Sequence, residues 1–164
     1  MTMTTQNNRA ASGVKAGRAP VQRGSVLVGL VFLLVGVLGL VPGVTTGYSQ
    51  LQFASHMSGA QLFGVFQVSV LHNVVHLVFG VAGLVLARTP LAARNFLLYG
   101  GLVYLALFLY GIVVEYQSAA NFVPFDDADN VLHLVLAVGM VTLSFVLDAG
   151  RGWRRTLGEG RAQV

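Results

Sequence analysis

Long apolar stretches and short polar breaks alternate along the chain, and the breaks define its elements. Four stretches, at about 24–41, 62–87, 96–114 and 130–147, are continuously apolar. Continuous runs fit helices, which satisfy their own backbone groups, rather than the in–out alternation of barrel strands. Each approaches the roughly 20 residues that a helix needs to cross a bilayer. Pro42-Gly43 ends the first run, Arg88-Thr89-Pro90 the second and Glu115 the third. Asp126, Asp127 and Asp129 precede the fourth, and Asp148 and Arg151 follow it. The first run exceeds the roughly 7–15-residue core of a signal peptide and lacks a small-residue cleavage site. The pattern predicts an all-α membrane protein, a bundle of four transmembrane helices over 23–149. A disordered basic tail at 1–22 and a basic tail at 150–164 would flank it.

Composition agrees and narrows the classes. Of 164 residues, 55% are hydrophobic and 10% charged, against roughly a quarter charged in soluble domains. With no cysteine, the chain has no disulfide, thiolate zinc site, iron–sulfur cluster or c-type haem attachment.

The charges give an orientation. Arg9, Lys15, Arg18 and Arg23 precede the first span, Arg88 and Arg94 lie between spans two and three, and Arg151, Arg154, Arg155 and Arg161 follow span four. The connections between spans one and two and between three and four hold none. The positive-inside rule then places both termini in the cytoplasm, with Trp153 as an interfacial anchor. The net charge of +4 reads as topology, so the expected partner is the bilayer, joined by a membrane protein or a second copy, and not nucleic acid.

Asn73-Val74-Val75-His76-Leu77-Val78 in span two resembles Asn130-Val131-Leu132-His133-Leu134-Val135 in span four. Gly29-Leu30-Val31-Phe32-Leu33 likewise resembles Gly101-Leu102-Val103-Tyr104-Leu105. The halves run in the same direction, so a parallel two-plus-two helix-hairpin repeat about an axis along the membrane normal is expected. His76 lies about 18 Å from the inner end at Arg88 and His133 about 22 Å from Asp148, at about 1.5 Å per residue. At such similar depths the two histidines could face each other.

The spans offer little polar chemistry. Ser69, His72, Asn73 and His76 share a helix face, as do Asn130 and His133. Polar groups inside a membrane turn inward and find partners, so these six residues form the candidate intramembrane site. One reading is a metal site at His72, His76 and His133, or haem held axially by His76 and His133. Another is a path for protons or a small solute. The plainer reading is interhelical hydrogen bonding, worth about 0.6 kcal/mol per contact, in a protein with no resident cofactor. The three aspartates read first as helix capping. The 42–61 connection reads as an apolar loop on the membrane, with an interfacial helix or a cap over the bundle mouth as alternatives. No nucleophile, base and orienter set is visible, so no enzyme is expected. The leading expectation is a non-enzymatic accessory or structural membrane module.

Several segments resemble a known family. They are Pro42-Gly43-Val44-Thr45, Leu62-Phe63-Gly64-Val65-Phe66-Gln67, Leu71-His72-Asn73-Val74-Val75-His76-Leu77 with Gly80-Val81-Ala82-Gly83, Asn121-Phe122-Val123-Pro124, and Asp129-Asn130-Val131-Leu132-His133. Over about 25–148 the chain resembles the bacterial four-helix membrane family called domain of unknown function 4383, typical of actinobacteria. The resemblance implies a four-span protein of the inner membrane and implies no activity or cofactor.

Overall fold

The computed structural model describes residues 17–159, with side chains through Leu147. Most of the expected tail at 1–22, and positions 160–164, lie outside the described residues. Four helices carry the fold: α1 (Pro20–Leu38), α2 (Val70–Leu86), α3 (Pro90–Val113) and α4 (Asp127–Glu159). α1, α3 and the Asp127–Leu147 part of α4 are long and apolar enough to cross a membrane, and α2 is a shorter apolar helix of 17 residues. Leu27, Leu34, Val78, Val81, Val135 and Phe145 face outward. An apolar exterior of this extent marks a lipid-facing surface.

Local chemistry moves the helix ends away from the apolar runs. Pro20 and Pro90 occupy the first turns of α1 and α3, where the missing N–H costs nothing. Thr89 caps α3 by accepting from Ala92 N at 3.3 Å, so α3 starts six residues before the expected 96. Gln22 accepts from Ala19 N at 2.8 Å and donates to the carbonyls of Ala87 and Arg88 at 2.9 and 3.0 Å. Residues 20–22 are therefore helix rather than tail, and they tie α1 to the end of α2. The C-terminal helix likewise continues in backbone to Glu159, beyond the expected end at 147.

The largest departure is at 62–69, which is not helical. Ser69 is extended and accepts from His72 N at 3.1 Å, so α2 begins at Val70. Residues 62–67 instead join an antiparallel three-stranded sheet: β1 (Thr45–Thr46), β2 (Gln61–Leu62) and β3 (Phe66–Gln67), in order β1-β2-β3. Thr45 pairs with Leu62, and Leu62 with Phe66. Ala60, Leu62 and Val68 form a small core on Val35 and Leu38 of α1. The connection is thus a folded cap on the bundle end, not a loose loop on the bilayer. Gln67 fastens it by donating its N–H to Asp129 Oδ2 at 3.1 Å.

The helices pack mainly as two hairpins, α1 against α2 and α3 against α4. Glycine permits both close approaches. A Cβ on Gly29 would sit 2.9 Å from the Gly80 carbonyl oxygen and 3.2 Å from Leu84 N. A Cβ on Gly101 would sit 3.1 Å from the Ala137 carbonyl oxygen and 3.0 Å from Val141 N. At the ends nearest the cap, Asn73 packs on Gly39 and Asn130 on Gly111, leaving no room for a Cβ at either glycine. Small residues at such crossings let backbones touch, which drives helix association in lipid. α2 and α3, though joined by only three residues, make few contacts with each other.

Candidate intramembrane site

The Ser69 cap sets the phase of α2, and His72 and His76 follow one turn apart on one face. Their rings stack with centroids 4.3 Å apart. His76 Nδ1 lies 3.1 Å from the His72 carbonyl oxygen. A carbonyl only accepts, so Nδ1 carries the proton, and Nε2 of the neutral ring is an acceptor. The Tyr104 hydroxyl, 3.4 Å from Nε2, therefore donates to it across a long bond.

Tyr104 links the hairpins. Its ring stacks on Phe32 with centroids 5.4 Å apart and planes 9° from parallel. The same ring lies 5.5 Å from that of His133, which Phe125 meets edge-on at 4.9 Å. On the other hairpin, Phe32 lies 5.6 Å from the His76 ring.

His72, His76 and His133 separate two cavities and line both. One, of about 210 Å³, is walled by Phe79, Tyr104 and Phe125. The other, of about 190 Å³, lies against the cap at Leu62, Phe63 and Phe66 and includes Asp129. His72 is 7% exposed and His133 4%, yet among the described residues Nδ1 of each has no hydrogen-bond partner. Leaving such a buried group unpaired costs about 1–3 kcal/mol. Among the described residues, no three His, Asp or Glu side chains are arranged to hold a metal ion.

The six expected site residues separate into two groups. The three histidines come together. Ser69 caps a helix, and Asn73 and Asn130 pack on glycines, with Asn73 Oδ1 and Nδ2 and Asn130 Oδ1 also lacking hydrogen-bond partners among the described residues. Asp126 caps as expected, accepting from Asp129 N at 2.8 Å. Asp129 is buried and reaches the cavity against the cap, a place that capping alone did not suggest. Its spacing of four residues to His133 repeats that of His72 and His76 and was the available signal. Tyr104 and Phe125 had no signal of their own in the α3 and loop sequences.

The model of one protein family, Domain of unknown function (DUF4383), matches residues 22–146, and the chain belongs to this family. No curated protein and no solved structure matches the chain.

Proposed function

We propose that this chain is a non-enzymatic module of the bacterial inner membrane that binds a small ligand at His72, His76 and His133. The observation that carries the proposal is the pair of buried Nδ1 atoms on α2 and α4 that lack partners beside a shared cavity. Histidines kept only to bridge helices would be hydrogen-bonded to those helices. Here His76 is bonded through both Nδ1 and Nε2, whereas Nδ1 of His72 and of His133 is left without a partner among the described residues.

The site lies at the centre of a parallel two-plus-two repeat in this reading. Matching contacts in the two hairpins support it. Gly29 and Phe32 in α1, with Gly39 just past its end, correspond to Gly101, Tyr104 and Gly111 in α3 at one constant offset. Ser69, His72, Asn73, His76, Gly80 and Leu84 correspond to Asp126, Asp129, Asn130, His133, Ala137 and Val141 at another. Every close glycine contact named above has its counterpart, and so do the Phe32–His76 and Tyr104–His133 ring pairs. The histidine pair thus falls on either side of the axis, and the Phe32–Tyr104 stack crosses it. All four helices cross the membrane with both termini cytoplasmic, as the placing of the basic residues supports.

Native mass spectrometry of protein released from membrane vesicles tests the binding reading. The wild type should retain a bound small molecule, and the His72→Leu/His133→Leu double variant should lose it. The same bound species on both proteins would overturn the proposal.

A further inference from the structure

This inference rests on the binding reading and names the ligand class. The histidine cavity walled by Phe79, Tyr104 and Phe125 adjoins a groove on the outward-facing surface of α2 and α3. A second depression of about 430 Å³ runs down the α2–α3 seam to Leu86, Ala92 and Asn95, and it shares Phe79 and Val103 with the histidine cavity. The two together follow α2 from His72 to Leu86, a length of about 21 Å at about 1.5 Å per residue. The seam exists because α2 and α3 diverge after their short connection. Val78 and Val103 on its edges are exposed, so in a bilayer the groove opens to lipid chains rather than to water.

Toward Leu86 the seam is walled mainly by apolar side chains, with Asn95 and Tyr99 among them, and the histidine cavity is lined by two imidazoles from different helices whose buried Nδ1 atoms lack partners. Phe79, Tyr104 and Phe125 supply flat surfaces for a ring, which stacks or meets them edge-on. An anionic head is disfavoured because no Lys or Arg lines either cavity. A cationic head is disfavoured by the apolar route, since a charge crossing lipid pays a large desolvation cost. What remains is a neutral head that accepts two hydrogen bonds, carried on an apolar tail.

We infer that the α2–α3 seam holds a lipid-soluble quinone, with its planar dicarbonyl ring at His72 and His133 and its tail along Phe79 and Val103 toward Leu86. Nδ1–H of His72 and of His133 would each donate to a carbonyl oxygen, removing the two unsatisfied groups. Only binding is inferred.

The test measures binding of four probes to the purified full-length protein in detergent: a decyl-substituted benzoquinone, duroquinone, decylbenzene and decanoic acid. The decyl quinone should bind at least tenfold more tightly than the ring alone, the carbonyl-free ring with tail, or the fatty acid. His133→Leu and, separately, Phe79→Trp, which fills the junction of the two cavities, should each weaken it at least tenfold with the circular dichroism spectrum unchanged. Equal binding of decylbenzene, tighter binding of decanoic acid, or unaltered affinity in both folded variants would overturn it. The wild-type comparison of quinone with decylbenzene decides even if a variant fails to fold. A retained molecule in native mass spectrometry with no preference for the quinone probe would discard the ligand class alone and leave the binding site standing.

Discussion

Phe32 on α1 and Tyr104 on α3 lie ring on ring, 5.4 Å between centroids, and the Tyr104 hydroxyl also reaches His76 on α2. One side chain therefore packs one hairpin against the other and orients an imidazole. The two roles are separable. Tyr104→Phe keeps the stack and loses a long hydrogen bond, so it should cost no more than about 1 kcal/mol. Tyr104→Ala removes the stacked ring and should cost roughly 3–5 kcal/mol, the range for emptying a packed aromatic site. Reversible unfolding in mixed micelles measures both, and equal losses would refute the division.

The Asn–glycine contacts predict a pairwise rescue. Gly39→Ala and Gly111→Ala force a methyl into Asn73 and Asn130. Overpacking of this kind costs typically about 1–3 kcal/mol. Shortening the partner to Asn73→Ala or Asn130→Ala should recover most of the loss in its own hairpin and none in the other. A double-mutant cycle on the same unfolding assay reads the coupling, and the two hairpins should give similar values.

Phe63 is a bulky residue at φ 55°, in the turn between β2 and β3 beside Gly64 at φ 71°. Left-handed backbone costs a non-glycine residue roughly 1–2 kcal/mol. The ring overlies the cavity against the cap, and strain held beside a cavity is characteristic of functional sites. Phe63→Gly should therefore leave stability equal or raise it by up to about 1 kcal/mol, while loosening the cover over the histidines. Thermal unfolding gives the first quantity. Diethyl pyrocarbonate modification of histidine from the water phase gives the second, and it should be faster in the variant.

The cysteine-free sequence makes the orientation directly measurable. Single variants Met57→Cys in the cap and Gln117→Cys between α3 and α4 should react with a membrane-impermeant maleimide in intact cells. Ala162→Cys near the C-terminus should react only after the membrane is opened. The reverse pattern would invert the assigned topology.

Apolar run length located all four helices, because a helix in lipid is dictated by continuous hydrophobicity. It could not locate their ends, which depend on single caps and turns. Ser69 starts α2 only eight residues into an apolar run, and Pro90 starts α3 ahead of one. The cap was legible only as an alternative, since its sheet is built from two-residue strands too short to show a period. The histidines were legible because a spacing of four puts them on one face. Tyr104 and Phe125 join them through tertiary packing, which no local pattern encodes, whereas the spacing of four from Asp129 to His133 was there to be read. Ser69 shares the polar spacing but is taken up by a cap, and Asn73 and Asn130 lie against glycines with amide atoms left unpaired among the described residues.

The central claim is that His72 and His133 are held for a ligand and not for the fold. Replacing both by Leu removes two unsatisfied buried nitrogens and fills a comparable volume, which is neutral or stabilising when no hydrogen bond is lost. The decisive measurement is the thermal unfolding midpoint of ligand-stripped protein in detergent. His72→Leu/His133→Leu should unfold at the same temperature as the wild type or above it. A midpoint several degrees lower in the double variant would show that the imidazoles support the bundle and would contradict the account.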